Sequence, residues 1–213
     1  VVRLVGSEMC IRDRFILNKL YELNPNKIEL SLARVTRLLN DLDNPQKKLK
    51  NIITVTGTNG KGGTAFYLKE ILSANGYSVS LFQSPFLYNF LTRFLINGIP
   101  LNEDKFIKYV VEVDKANNHK DITFFEFITC IAFKAFAKAN CDFNILETGL
   151  GGKFDSTNVD YQNLKAQILT PISLDHKDFL GQTLQEITHN KCGIIKNNTN
   201  VIIATSHITE VAA

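Results

Sequence analysis

The clearest chemical potential lies in segment 56–64, which reads Thr-Gly-Thr-Asn-Gly-Lys-Gly-Gly-Thr. An apolar, β-branched run at 52–55 precedes it and predicts a buried strand, and apolar residues follow it with helical spacing up to Ala74. A glycine-rich turn that opens a helix can bind phosphate, because its N–H groups converge and a lysine reaches the terminal phosphates. We predict a nucleotide phosphate loop around Lys61. Its spacing is shorter than G-x-x-x-x-G-K-[ST], and a turn without a ligand is the alternative.

Polar side chains also follow the predicted strands 79–82, 143–146 and 166–169. Parallel α/β sheets bind ligands beyond the carboxyl ends of their strands, so these side chains should converge on the phosphate loop. Together they form an oxygen-rich set with one imidazole, which suits Mg²⁺ held partly by phosphates. Each also has a structural alternative: a turn serine, a solvated glutamate or a structural Asp-His pair. The candidates are Ser84, Glu147, Asp175 and His176.

Strand-like and helix-like patterns alternate along the chain. Helices are predicted at 15–23, 27–40, 65–74, 102–117, 123–140 and 182–191, a fifth strand at 201–204 and a short hairpin around Asn97 and Gly98. This alternation predicts an α/β fold with a mostly parallel sheet and helices on both faces.

Helix 123–140 is apolar nearly all round, which predicts burial on several sides. Glu126 in its first turn is therefore unusual, because a buried carboxylate needs a partner or a role. The position alone is favourable for an acidic group, since the helix N-terminus carries partial positive charge.

The composition predicts a soluble protein of one domain or slightly more, with 213 residues and a net charge of +3. The basic residues are scattered, which argues against a nucleic-acid surface. The four cysteines form no C-x-x-C pair, so neither a zinc site nor a disulfide framework is indicated. No apolar run is long enough to span a membrane. We expect a cytoplasmic monomer that binds neither nucleic acid nor membrane.

Residues 1–14 do not fit a signal peptide, because only a short apolar run follows Arg3 before the charged group Arg12, Asp13 and Arg14. The string at 6–14 resembles a translated sequencing-adapter sequence. We interpret 1–14 as a non-native leader that lies outside the predicted fold.

The phosphate loop and four further segments, in this order, resemble the folylpolyglutamate and dihydrofolate synthases of the Mur ligase superfamily. The resemblance covers nearly all of 21–196 and implies a P-loop fold like the Mur ligase central domain. The segments are Asn-Pro-Gln-Lys-Lys-Leu at 44–49, Ser-Pro-Phe at 84–86, the block 147–159 that begins Glu-Thr-Gly-Leu-Gly-Gly-Lys-Phe-Asp, and Leu-Asp-His at 174–176 with Leu-Gly at 180–181 and Lys-Cys-Gly-Ile-Ile-Lys at 191–196.

This resemblance implies an ATP-dependent amide ligase. In that family ATP phosphorylates a carboxylate of a pteroate or folate, and the amine of L-glutamate then attacks the acyl phosphate. By motif match Thr58, Asn59, Gly60 and Lys61 would hold the phosphates, Ser84 and Glu147 one Mg²⁺, and His176 a second. The resemblance implies catalytic roles for Lys61, His176 and Lys191. Lys191 matches the lysine that is carbamylated in the superfamily, and the alternative is that Lys191 is a surface lysine at a helix end.

Two further segments match the family's surroundings of the pterin, which would give Glu126 a reason to lie among aromatic residues. Their residues, the candidate substrate contacts, are Thr123, Phe124, Phe125 and Glu126, and Phe154, Asp155 and Ser156.

The chain departs from the family pattern at several points. Gly63 stands where a hydroxyl residue is usual, Thr92 replaces the glutamate beside Arg93, and Lys153 replaces an arginine. The chain also ends soon after Lys191, where family members continue. We therefore interpret 15–213 as an incomplete N-terminal and central ATP-binding domain without the C-terminal glutamate-binding domain. Such a fragment should bind nucleotide weakly and form no product.

Two alternatives remain open. One is a cell-wall Mur ligase, against which the Ser-Pro-Phe segment and the 147–159 block argue. The other is a nucleotide-binding module without ligase activity.

Overall fold

The computed structural model describes Leu23 and residues 28–85 and 89–204. Within these residues, seven strands form one sheet: β1 Ile52–Thr56, β2 Val79–Phe82, β3 Phe94–Ile96, β4 Ile99–Pro100, β5 Phe143–Glu147, β6 Leu164–Leu169 and β7 Asn200–Ile203. The helices are α1 Ala33–Asp41, α2 Lys61–Ala74, α3 Glu103–Asn117, α4 Phe124–Ala139, α5 Lys177–Leu180 and α6 Leu184–Cys192. In addition, Pro45–Lys48 and Phe90–Arg93 form 3₁₀ helices.

The strand order is β4-β3-β2-β5-β1-β6-β7. The five strands from β2 to β7 in this order are parallel, and β3 and β4 form an antiparallel edge. Val55 pairs with Glu147, and Thr56 with Leu169, so the carboxyl ends of the central strands meet at one edge. The predicted α/β class is confirmed.

Alternating strand residues divide the core between the two faces of the sheet. On one face, α1, α3 and α4 pack with Phe82 and Leu146 into the larger cluster, which contains several fully buried phenylalanines. On the other face, α2 packs against Val55, Leu81 and Ile145. Helices therefore cover both faces, as predicted. No helix among the described residues is long and apolar enough to cross a bilayer.

Local signals set most element boundaries well. The Asn102 side chain caps α3, and a capping box of Thr123 and Glu126 begins α4. The turn at Asn97 and Gly98 joins β3 to β4, which confirms the predicted hairpin. Helix α2 ends at Ala74 as expected.

The prediction of a helix over 27–40 is wrong at its start, because α1 begins only at Ala33. Side chains hold the preceding residues out of the helix. Arg34 Nη2 donates to the carbonyl of Glu29, and the Ser31 hydroxyl accepts from the Ala33 N–H. The last helix begins at Leu184 rather than at 182, because Thr183 and Glu186 form a capping box. Except for Leu23, the helix predicted at 15–23 lies outside the described residues.

Candidate active site

The phosphate loop joins β1 to α2 and is shaped by two glycines. Gly57 has φ +140°, and a Cβ on it would come within 2.0 Å of Thr170 Oγ1 and 2.7 Å of the Thr170 carbonyl oxygen. Gly60, with φ +84°, is the cap residue of α2. These conformations are open to glycine and strained for other residues.

The predicted phosphate-binding residues Thr58 and Asn59 are anchored to the loop after β6. Their N–H groups donate to the carbonyl of Pro171 at 3.0 and 3.2 Å, and the Thr58 hydroxyl donates to the carbonyl of Ser173. The first helical bond of α2 runs from Thr64 to the carbonyl of Gly60. The N–H groups before Thr64 have no earlier helical carbonyl, so the start of α2 is the part of the loop suited to an anion.

Lys61 folds back over the loop that it follows. Its Nζ donates to the carbonyl oxygens of Gly57 at 3.2 Å and Thr58 at 3.3 Å. The ammonium therefore lies at the loop. It would have to break these two hydrogen bonds in order to bind a phosphate there.

Glu147 ends β5 and lies against the start of α2. Its side chain is buried, Oε2 accepts the Ser84 N–H at 3.0 Å, and a Cβ on Gly62 would be 3.5 Å from the same oxygen. Burial raises the pKa of Glu147, while the Ser84 N–H and the charges of Lys61 and Arg93 oppose the rise. The fold thus brings Ser84 and Glu147 together, as expected.

His176, the third predicted metal ligand, lies on the loop after β6 and not beside the Ser84–Glu147 pair. It caps the short helix α5 with φ 45°, its side chain is exposed, and its Nε2 lies 3.6 Å from Asp175 Oδ2. Within the part of the chain that the structure describes, no group of three or more His, Cys, Asp or Glu residues could hold a metal. A metal here would need oxygen ligands from a bound phosphate, which is the arrangement predicted from the strand ends.

Lys191 in α6 is buried and reaches the phosphate loop. Its Nζ donates to the carbonyl of Gly57 at 2.8 Å, which makes this carbonyl an acceptor for two lysines. Burial lowers the pKa of Lys191 to about 8, and the charge of Lys61 acts in the same direction. Lys191 is therefore not a surface lysine, and an amine with such a pKa has an appreciable neutral, nucleophilic fraction near neutral pH.

The predicted substrate residues at the start of α4 have structural partners. Glu126 Oε2 accepts the Thr123 N–H at 2.8 Å and Arg34 Nε at 2.9 Å, while its buried Oε1 has no hydrogen bond among the described residues. Phe124 and Phe125 are half-buried, and a Cβ on Gly149 would lie 2.4 Å from the Phe125 ring. Glu126 thus has both a helix-capping role and an ion-pair partner.

The second predicted substrate segment is a tightly bonded loop. Both carboxylate oxygens of Asp155 accept hydrogen bonds: Oδ2 from the N–H groups of Gly149 and Leu150, and Oδ1 from the N–H and hydroxyl of Thr157. Ser156 shares a hydrogen bond of 2.6 Å with the Thr129 hydroxyl. Phe154 is exposed beside Lys153, whose Nζ lies 5.3 Å from the centre of its ring. Of these three, only Phe154 offers an open surface, and the substrate contacts stay a prediction.

Two features of the site could not be predicted from the sequence. Pro171 anchors the phosphate loop through a backbone carbonyl, which no residue type reveals. Arg34 binds Glu126 across 92 positions of sequence, so no local pattern could pair them.

Comparison with known proteins matches this architecture. A family model of the Mur ligase middle domain fits residues 55–211. The chain belongs to the Mur ligase family. The Saccharomyces cerevisiae dihydrofolate synthetase is 40% identical to it over 171 residues, 79% of this chain and 40% of that protein.

Solved structures show the same likeness. The E. coli FolC in complex with DHPP and ADP has a TM-score of 0.85 at 35% identity, covering 92% of this chain and 48% of that chain. A bifunctional folylpolyglutamate synthase/dihydrofolate synthase with Mn, AMPPNP and L-glutamate bound has a TM-score of 0.83 at 34% identity, with coverages of 92% and 48%. The chain therefore spans less than half the length of these relatives. Within the Mur ligases, its similarity is to the folylpolyglutamate/dihydrofolate synthases, as the sequence motifs predicted.

Proposed function

We propose that these residues form the nucleotide-binding part of an ATP-dependent ligase that joins L-glutamate to dihydropteroate or a folate. The observation that carries the proposal is the buried Glu147 carboxylate beside Gly62 at the start of α2, where it feels the charge of Lys61. The relatives support it, because their structures hold ADP or AMPPNP, with manganese and L-glutamate in one and DHPP in another.

The donor set fits magnesium. Glu147 offers a carboxylate whose pKa is raised by burial, and such a group gains from a cation because the cation favours its ionised form. Ser84 lies next to it, so Ser84 and Glu147 would hold one Mg²⁺ together with phosphate oxygens. His176 follows β6, which lies on the other side of β1 from β5, and would hold a second Mg²⁺. When bound, the metal would supply neutralisation of phosphate charge.

The chain's own residues would position the nucleotide and neutralise its charge. The N–H groups at the start of α2 and the Lys61 ammonium would bind the phosphates. The carboxylate of the pterin substrate would attack the terminal phosphorus of ATP, with ADP as the leaving group, to give an acyl phosphate. The amine of L-glutamate would then attack the acyl carbon, which releases phosphate and a proton and leaves the amide. Orientation and fixed positive charge are the main sources of rate in such transfers.

We propose glutamate ligation for a chain of the relatives' length, and Mg²⁺-dependent nucleotide binding for these 213 residues. A monomeric state and a cytoplasmic location belong to the same proposal.

The test is nucleotide binding by the 213-residue chain, measured by calorimetry with a non-hydrolysable ATP analogue, with Mg²⁺ and with EDTA. Glu147→Gln should abolish the gain in affinity that Mg²⁺ provides and leave binding in EDTA within about twofold. Glu112→Gln is the matched control. Glu112 in α3 forms its ion pair with Lys134 in α4, so this substitution should change neither affinity. An unchanged Mg²⁺ effect in Glu147→Gln would refute the assigned role.

A further inference from the structure

Between β5 and the end of α6 lies a contact that none of the predicted roles uses. Residues 149–153, here named the glycine bracket, pack against 190–193. The Lys153 N–H donates to the Asn190 carbonyl at 2.9 Å, and the Gly152 N–H donates to Asn190 Oδ1 at 3.3 Å. A Cβ on Gly152 would lie 2.4 Å from the Lys191 carbonyl oxygen, so two backbones approach as closely as glycine permits.

The other side of the glycine bracket is tied to the strand that leads into the phosphate loop. The Thr56 hydroxyl donates to the carbonyl of Gly151 at 2.7 Å, and Thr148 donates to Thr56 Oγ1 at 3.1 Å. Thr56 is the last residue of β1 and immediately precedes Gly57, the acceptor of Lys191 Nζ. The contacts thus form a closed ring from β1 through the bracket and α6 back to the phosphate loop.

Asn158 adds a second tie. This buried side chain donates through Nδ2 to the carbonyls of Lys153 at 3.0 Å and Gly193 at 3.1 Å. It stands just after the Phe154–Ser156 segment, so the predicted substrate loop and the end of α6 are held in one arrangement.

We propose that Asn190 is a positioning residue of the nucleotide site, which holds the end of α6 so that the Lys191 amine lies on the Gly57 carbonyl. A lysine has a long, flexible stem, so its amine is placed precisely only when the backbone that carries it is held. Residues that orient a functional group through one intermediate contact commonly matter for affinity although they never touch the ligand. The link to nucleotide rests on the proposed function, whereas the link to Lys191 does not.

The test compares Asn190→Ala with His189→Ala, a change at the exposed neighbour on the same helix. The first readout is the pKa of Lys191, measured as the pH dependence of acylation at that residue by peptide mass spectrometry. Asn190→Ala should raise it above the value of about 8, because a released amine meets more water. The second readout is affinity for the ATP analogue with Mg²⁺, which should fall about three- to tenfold, the worth of one hydrogen bond. His189→Ala should change neither.

If Asn190→Ala and His189→Ala give the same Lys191 pKa, the positioning role is wrong, whatever happens to nucleotide affinity. If the pKa rises while the parent chain itself binds no nucleotide, the positioning role stands and the proposed function fails. Should Asn190→Ala not fold, as judged by circular dichroism, Asn190→Ser serves as the milder variant with the same expected pKa shift, and a folded serine variant with an unshifted pKa would overturn the proposal.

Discussion

The two sides of the candidate site are built by different means. The phosphate loop depends on close backbone contacts: the N–H groups of Thr58 and Asn59 bind the Pro171 carbonyl, and Gly57 lies against Thr170 where a side chain would not fit. The predicted substrate side is held by side chains, with Asp155 accepting four hydrogen bonds and Glu126 joining Thr123 to Arg34.

This difference shows what each side can tolerate. A site built from backbone depends on conformation, so glycine positions should be the sensitive ones. A site built from side-chain networks depends on complete polar satisfaction, because each lost partner leaves a buried charge or acceptor behind. It also means that Asp155 and Glu126 hold the substrate-side loops themselves, whatever they contact in a complex.

The strongest test of this contrast is Gly57→Ala. The new Cβ would meet the Thr170 carbonyl at 2.7 Å with φ at +140°, so we expect a loss of about 4 kcal/mol or more in the free energy of unfolding. Urea denaturation followed by circular dichroism measures it. Gly60→Ala is the control, since its Cβ would meet nothing within 4 Å and only the strain of φ +84°, about 1 kcal/mol, remains. Equal losses in both variants would show that the contact with Thr170 is unimportant.

The substrate side is tested by Arg34→Met. Removal of the guanidinium leaves the Glu126 carboxylate buried without its ion pair, which should cost about 2 kcal/mol of unfolding free energy, less than a fully buried pair because Arg34 is partly exposed. Affinity for nucleotide should stay unchanged. The double variant Arg34→Met with Glu126→Gln should regain part of the loss. If the free energy of nucleotide binding changed as much as the free energy of unfolding, the two sides of the site would not be independent and the comparison would be wrong.

The smallest expected effect is a gain at Gly63. A Cβ there would meet nothing within 4 Å, so Gly63→Ser can add a hydroxyl at the start of α2 without a clash. We expect about threefold tighter binding of the ATP analogue, as one added hydrogen bond provides. Gly63→Ala separates the hydroxyl from the gain in helix propensity that both variants share. Identical affinities for the serine and alanine variants would exclude a role for the hydroxyl.

Much of the fold could be predicted because its signals are local. The glycine-rich turn, the Asn102 and Thr123 caps and the Asn97–Gly98 hairpin lie within a few residues of what they determine. The start of α1 could not be predicted in this way. Residues 28–32 continue the helical periodicity of α1, but Arg34 binds Glu29 and Glu126, and these ion pairs hold the segment before Ala33 in a non-helical conformation.

The sequence by itself determined the mostly parallel α/β class, the glycine-rich turn between β1 and α2, and the family, because residue spacing and ordered motifs are properties of the chain alone. Tertiary structure decided which groups meet: Lys191 with the Gly57 carbonyl, Glu147 with the start of α2, and the glycine bracket with Asn190. The physical reason is separation along the chain. Lys191 and Gly57 are 134 residues apart. Only the pairing of β1 with β5 and β6 brings an amine, a carbonyl and a carboxylate to the same edge of the sheet, where burial raises the pKa of Glu147 and lowers that of Lys191.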